Sequence, residues 1–351
     1  MAVLAELHAQ RPHDAQVALL LAEAESEAGQ FQRAGERLQR MAAVDPDDPR
    51  VWYLLGKVSI LRGEARRAVD DYLVRALVLF NRSRNAVGQA DTINALGVGY
   101  ERLGQVDQAY EQYARAVELR RTLGDPRGLA SSLRNLAALA TVRGEFELAQ
   151  ARLAEARELL ESLRDRHGLA DLDNDLGLLA EERGDFVGAL THYRAALQQR
   201  QAIGHAHGIA ESLNNIGFSH YQLGAYDDAL VYWRQALGSF EALGDLSGIV
   251  RSRQNLAVLD LARGDWEQAQ AGLQATLVQA EREQMVEEAA VSLRYLAELA
   301  LLRGRGAEAL ERLQRAETLF SGREDQRGLL DVRLLRARVA VLEGRYDDAG
   351  T

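Results

Sequence analysis

The sequence predicts an all-α solenoid built from antiparallel helix pairs. A turn glycine recurs along the chain, and from Gly104 to Gly344 successive turn glycines are 40 residues apart. The composition is 47% hydrophobic but only 6% aromatic, with 4 prolines in 351 residues, which suits helices rich in Ala, Leu, Arg and Glu better than strands. Self-similarity at a fixed period of this size is typical of repeat proteins, in which each unit packs mainly on its neighbours.

The residues around each turn predict that one repeat consists of a helix, a glycine turn and a second helix. In the second helix an alanine stands five residues after the turn glycine and a large residue four further on, on the same helical face. In the first helix a large apolar residue and then a Gly or Ala lie eight and seven residues before the turn. The alanines are Ala109, Ala149, Ala189, Ala229, Ala269 and Ala309, the large residues are Tyr113, Leu153, Tyr193, Trp233, Leu273 and Leu313, and the first-helix pairs are Leu96-Gly97, Leu136-Ala137, Leu176-Gly177, Ile216-Gly217, Leu256-Ala257 and Leu296-Ala297.

The spacing of the turns divides the chain into three predicted parts. Residues 14–85 form two short units of about 34 residues, residues 86–323 form six units of 40 residues, and residues 324–351 form an incomplete terminal repeat. The chain stops seven residues after Gly344, so we expect that it continues in a longer parent protein.

The segments between repeats carry signals for the start of a helix. Asp125, Asp165 and Asp245 are predicted N-caps, and Pro126 fits the first helical position. Gly128 falls in the first turn, where we expect close backbone contact with the preceding helix. The repeat that begins near Met285 lacks both glycines of this segment, so its geometry is predicted to differ.

These residues resemble the tetratricopeptide repeat family. The matching pattern is Leu96-Gly97, Tyr100, Gly104, Ala109 and Tyr113, and the resemblance covers nearly the whole chain. The 40-residue units look like the long form found in kinesin light chains, LGN-type polarity adaptors and bacterial signalling proteins. The resemblance implies a right-handed superhelix in which the first helix of each pair lines a concave groove.

Composition and motifs argue against catalysis, cofactors and metals. The formal net charge of -10 disfavours direct binding to nucleic acid or to an anionic membrane, and the chain contains no cysteine. The one Gly-Lys pair, Gly56-Lys57, lacks the following hydroxyl of a phosphate-binding loop. His205 and His207 are interpreted as residues of a solvated loop. Without a leader-like N-terminus or an apolar run of about 18 residues, the expected location is cytoplasmic.

Polar residues recur on the first helices and form a predicted ladder. Ten residues before the turn stand Asn94, Arg134, Asn174 and Asn214, and nine residues before it stand Asn135, Asp175, Asn215 and Asn255. An amide carries donors and acceptors that suit the backbone of an extended peptide, and the family resemblance implies that role. The alternative is that the asparagines bond across to neighbouring helices. The two interpretations are compatible, and both stay open.

The charge on the predicted groove changes along its length. Glu181 and Glu182 belong to an acidic stretch and are expected to be exposed carboxylates, whereas Phe218 and Tyr221 in the next repeat introduce aromatic surface. The leading hypothesis is a non-catalytic scaffold that binds a protein or an extended peptide, basic at one end and apolar at the other. The alternative is a sensor or oligomerisation segment of a larger bacterial signalling or transcription-regulatory protein.

Overall fold

The computed structural model describes residues 2–11, 14–322 and 326–342, and every regular element in these ranges is helical. The helices are α1 (Ala2–Gln10), α2 (Ala15–Glu27), α3 (Phe31–Val44), α4 (Pro49–Leu61), α5 (Ala65–Arg67), α6 (Val74–Arg82), α7 (Ala86–Arg102), α8 (Val106–Leu123), α9 (Pro126–Val142), α10 (Phe146–Ser162), α11 (Arg166–Glu182), α12 (Phe186–Ala202), α13 (Ala206–Gln222), α14 (Tyr226–Leu243), α15 (Leu246–Arg263), α16 (Trp266–Arg282), α17 (Val286–Leu302), α18 (Gly306–Gly322) and α19 (Gln326–Leu342). A π-helical stretch, Ala68–Leu73, joins α5 to α6. The all-α, tetratricopeptide-like solenoid class predicted from the sequence is confirmed.

The chain divides into two compact units, Met1–Arg164 and Asp165–Thr351. In unit 1 the 40-residue pairs are α7 with α8 and α9 with α10; in unit 2 they are α11 with α12, α13 with α14, α15 with α16 and α17 with α18. Helix α1 precedes the first predicted repeat, which began at Asp14, and the sequence analysis did not anticipate it. The division into short, long and incomplete repeats stays a prediction, and residues 324, 325 and 343–351 of its last part lie outside the described residues.

The glycine turns end the first helices in a left-handed conformation. Gly184 has φ +75°, its N–H donates to the carbonyl oxygen of Glu181 at 2.9 Å, and the following Asp185 N–H donates to Ala180 at 2.9 Å. These bonds satisfy carbonyls that a helix end would leave unpaired. The turn before the repeat predicted to be divergent follows a second helix, α16, and there Gln284 takes φ +58° without glycine. Helix α17 has the same 17-residue length as α13, so the helix bounds of this repeat show no difference.

Helix starts follow the predicted caps. Asp125, Asp165 and Asp245 each accept the N–H of the residue three positions later, and Pro126 occupies the first turn of α9. The close contact predicted at Gly128 is present: its backbone carbonyl accepts a hydrogen bond from Nη1 of Arg120, at the end of the preceding helix. A Cβ at Gly128 would lie 2.8 Å from Nε of the same arginine.

Each repeat is locked by a small residue on the first helix and a large residue on the second. A Cβ on Gly217 would lie 2.6 Å from Cδ1 of Trp233, so this ring fills the space that glycine leaves. In the six 40-residue repeats Tyr and Trp occur with glycine and Leu occurs with alanine, whereas in the shorter repeat before them Gly56 faces Leu73. The six pairs are Gly97 with Tyr113, Ala137 with Leu153, Gly177 with Tyr193, Gly217 with Trp233, Ala257 with Leu273 and Ala297 with Leu313. All six large side chains are at most 1% exposed, so each lies in the close-packed interior, where a change in volume affects stability.

The first prediction tests this matching at Gly217 and Trp233. Gly217→Ala should lower the free energy of unfolding by about 1–3 kcal/mol through overpacking. Trp233→Leu alone should cost about 2–4 kcal/mol through a cavity and the lost bond from Nε1 to the Asn214 carbonyl, 3.1 Å long. The double variant restores the Ala–Leu combination of the next repeat, so it should be more stable than the sum of the single changes by at least about 1 kcal/mol in denaturant unfolding.

Gly238 provides the control in the same helix as Trp233. No atom lies within 4 Å of a Cβ at this exposed helical site, so Gly238→Ala should be neutral or stabilise by up to about 1 kcal/mol. Strict additivity of Gly217→Ala and Trp233→Leu would contradict the volume matching.

Candidate functional site

The asparagine ladder in unit 1 joins α7 to α9. Asn135 Nδ2 donates to Oδ1 of Asn94 at 3.2 Å, and the buried Ser132 hydroxyl donates to the same oxygen at 2.9 Å. Arg120, 5% exposed, donates from Nη1 to Ser132 at 2.9 Å and from Nη2 to Asp91 at 2.6 Å. The ladder residues of this unit therefore belong to a polar network that ties neighbouring first helices together.

The ladder in unit 2 repeats this arrangement across three first helices. Asn215 on α13 donates from Nδ2 to Asn174 on α11 at 3.1 Å, and Asn255 on α15 donates to Asn214 on α13 at 2.9 Å. In both pairs the donor stands 41 residues after the acceptor, one repeat and one residue on. All four side chains are half-buried. The bonding between neighbouring helices that was one of the two open interpretations is thus present.

The hydrogen bonds within the ladder use only part of the hydrogen-bonding capacity of the amide side chains. Each bond uses one N–H of the donor amide and one lone pair of the acceptor amide, out of two N–H groups and two lone pairs on each side chain. The half-buried amides therefore retain hydrogen-bonding capacity toward a ligand. The ladder does not continue from α15 to α17. Gln254 on α15 is 4% exposed and donates from its amide to the Ser292 hydroxyl on α17 at 2.8 Å. At the ladder positions of α17, Arg294 stacks on Tyr295, with its Cζ 3.8 Å from the ring centre.

A shallow polar cavity of about 170 Å³ opens on the ladder of unit 2. Its lining residues are Asn174, Glu211, Asn214, Asn215, Phe240 and Arg251. Glu211 lies 3.7 Å from Arg200 and 3.6 Å from His207, whereas Arg251 is exposed. The sequence analysis missed Arg251 as a site residue, although the repeat period gives the signal: it stands 40 residues after Glu211, at the same position of the next first helix.

Glu181 does not have the exposed carboxylate expected from the sequence. It is half-buried near the end of α11 and accepts the hydroxyl of Tyr193 at 2.9 Å. Burial raises the pKa of the Glu181 carboxyl above its usual value, with the neighbouring Glu182 acting in the same direction and the Tyr193 bond opposing it. The expectation of exposure is corrected for Glu181 and holds for Glu182, whose side chain is 41% exposed. In unit 1, Glu101 accepts the hydroxyl of Tyr113 in the same way at 2.7 Å.

The aromatic residues of the predicted groove are half-buried on α13. Phe218 packs on the core around Trp233. The ring of Tyr221 lies 5.6 Å from that of Trp233 and 5.7 Å from that of Tyr226, and burial raises the pKa of Tyr221 to about 12. The remaining predicted residues, Arg134 on α9 and Asp175 on α11, are also half-buried.

The prediction that His205 and His207 lie in a loop is corrected, because α13 begins at Ala206. His205 occupies its N-cap position, and His207 lies in its first turn, 3.6 Å from Glu211 and 3.2 Å from Asp245. Among the residues that the structure describes, no three His, Cys, Asp or Glu side chains are arranged to hold a metal ion. None of the described helices combines the length and apolar character needed to cross a membrane.

Comparison with protein families shows what kind of repeat this is. Tetratricopeptide repeat models match residues 1–58, 88–162, 168–242 and 208–277, which together cover more than half of the chain. The chain therefore belongs to the tetratricopeptide repeat family. A search of curated protein sequences returned no significant match.

Several solved structures share this fold. A Rap protein complexed with competence and sporulation factor has a TM-score of 0.65 at 16% identity, with 95% of this chain and 94% of that chain covered. Aspartyl phosphate phosphatase F from Bacillus subtilis has a TM-score of 0.63 at 13% identity, covering 95% and 90%. A signal transduction ATPase with a tetratricopeptide repeat sensor from Pyrococcus horikoshii has a TM-score of 0.57 at 16% identity, covering 93% and 52%, so this chain spans about half of its length. At these identities the similarity is one of fold.

The second prediction concerns the Glu181 carboxyl. Because burial raises its pKa, ionisation of Glu181 is less favourable in the folded chain than in the unfolded chain. Glu181→Gln keeps an acceptor for Tyr193, so it should increase the free energy of unfolding at pH 7 by roughly 0.5 kcal/mol or less, since solvent screens a half-buried group. This advantage should shrink as the pH falls through the raised pKa toward the ordinary value of 4.5, where Glu181 becomes protonated.

Urea unfolding of the wild type and of Glu181→Gln between pH 4 and pH 7 measures the difference between their free energies of unfolding. Glu311→Gln, at an exposed site on α18, serves as the control and should leave the pH profile unchanged. A Glu181→Gln advantage that grows as the pH falls would contradict the assigned direction.

Proposed function

We propose that the chain is a non-catalytic scaffold that binds an extended protein or peptide segment along its first helices. The observation that carries the proposal is the ladder of half-buried amides in unit 2, which links α11 to α13 through Asn174 and Asn215, and α13 to α15 through Asn214 and Asn255. An extended segment presents N–H and C=O groups at a regular spacing, and amides that both donate and accept can bind them whatever the side chains are. Membership of a repeat family whose stacked units form extended binding surfaces supports the same function.

The surroundings of the ladder suggest the chemistry of the bound segment. At the α11 end stand Glu182, 41% exposed, and the half-buried Asp175, which suit a cationic side chain. At α13 stand Phe218 and Tyr221, which suit an apolar one. Arg251 lines the polar cavity beside the amides and suits a backbone carbonyl or a carboxylate. The preferred segment is therefore basic at one end and apolar further along, and we place its binding in the cytoplasm.

A sensor segment of a larger signalling protein is the second candidate. The Pyrococcus horikoshii ATPase uses a tetratricopeptide repeat sensor within a chain about twice as long as the region matched here. In that role the same surface would report binding to an attached effector domain. The phosphatase among the structural neighbours shares only the fold at 13% identity, and the proposal for this chain remains binding without catalysis.

The third prediction separates ligand binding from structural bonding in the ladder. Peptides selected on the full chain from a displayed random library should carry a basic and an apolar residue. Asn214→Ala and Asn255→Ala should each weaken binding of a selected peptide by about two- to tenfold, the worth of one net hydrogen bond. Fluorescence anisotropy gives the affinity and thermal unfolding gives the melting temperature of each variant.

Gln235→Ala, at an exposed amide on the second helix α14, is the matched control and should change neither quantity. If Asn214→Ala and Asn255→Ala lower the melting temperature yet bind the peptide with unchanged affinity, the ladder is structural and the proposed binding surface is wrong.

A further inference from the structure

One ion pair in unit 2 joins helices that are far apart along the chain. Nη1 of Arg327, in the first turn of α19, donates to Oε1 of Glu182, at the end of α11, over 3.1 Å and 145 residues. By comparison, Arg263 with Asp227 and Arg303 with Glu267 connect residues 36 apart in neighbouring repeats. The contact thus links the first helix of unit 2 with its last described helix.

The two helices are positioned by other contacts. Helix α11 packs on α12, and α19 packs on α18 and α17. The Arg327 side chain is 80% exposed and that of Glu182 is 41% exposed, so the link is made by the tips of two solvated side chains. An exposed pair of this kind favours the joined arrangement by no more than about fivefold, and salt weakens it further. It is therefore easily opened.

The carboxylate that Arg327 contacts is also the exposed acid at the α11 end of the proposed binding surface. A guanidinium or ammonium group of a bound segment would need the same oxygen atoms. Arg327 is part of the same chain, so it competes at a high effective concentration although its contact is weak.

We propose that the Arg327–Glu182 ion pair is an electrostatic latch that holds the start of α19 against the end of α11 in the unliganded chain. A cationic side chain of the bound segment opens the latch by replacing Arg327 on Glu182. This second step rests on the proposed function, whereas the latch itself does not.

The latch is tested by measuring the separation of the two helices. The chain contains no cysteine, so Val187→Cys on α12 and Arg333→Cys on α19, both at exposed sites, accept one spin label each without background. Double electron–electron resonance measures the distribution of distances between the two labels. Arg327→Gln and Glu182→Gln should each make this distribution longer and broader. The exchanged pair, Glu182→Arg with Arg327→Glu, should restore the original distribution.

Ionic strength and a matched ion pair provide the controls. Sodium chloride at about 1 M should shift the wild-type distribution in the same direction as the two variants, because it screens the pair. Arg263→Gln removes a pair between neighbouring repeats and should leave the distances unchanged. Distances that do not respond to Arg327→Gln, Glu182→Gln or salt would overturn the latch, whatever the binding data show.

The second step is tested with a fluorescent hexa-arginine peptide, blocked at both ends, and a hexa-glutamine peptide as its control. Arg327→Gln should bind the arginine peptide about two- to fivefold more tightly than wild type, and adding Glu182→Gln should abolish that gain. If the labels respond but the arginine peptide gains nothing from Arg327→Gln, the latch stands and the proposed cationic ligand site fails.

Discussion

The matched contact between a small residue on each first helix and a large residue on each second helix holds the repeats together. The rings of Tyr113, Tyr193 and Trp233 occupy the space left by Gly97, Gly177 and Gly217, which have no Cβ. Because protein interiors are close-packed, a mismatch in either direction costs stability. The same contact limits how closely the two helices of a 40-residue repeat approach each other, and it therefore helps to position the first helix.

Repeated helix packing brings the position ten residues before the turn in one first helix next to the position nine residues before the turn in the next. The amides stand 41 residues apart in Asn94 with Asn135, Asn174 with Asn215 and Asn214 with Asn255, and every pair is hydrogen bonded. A surface that binds an extended chain needs this regularity, since the spacing of the ligand backbone is regular too. The buried Arg120 network shows how firmly the underlying helices are joined in unit 1.

Much of the candidate site follows from the repeat. The period and the small–large pairs predicted helix pairs, turns and caps, and the ladder positions come from the same count. The period could not predict the environment of Glu181, since its half-buried state depends on Tyr193 of the next helix reaching back to it. Only some repeats carry a tyrosine there: Tyr113 and Tyr193 bond glutamates, whereas Trp233 bonds a backbone carbonyl.

The sequence by itself determined the helices, the turns and the positions that repeat, because these depend on neighbours within about 40 residues. Gln284 shows the limit of that reading, since it takes, after α16, the left-handed conformation that glycine takes after α8 and α14. The tertiary structure alone decided that Arg327 meets Glu182, 145 residues away. Such a contact arises from small rotations added over several repeats, and no local pattern of residues encodes their sum.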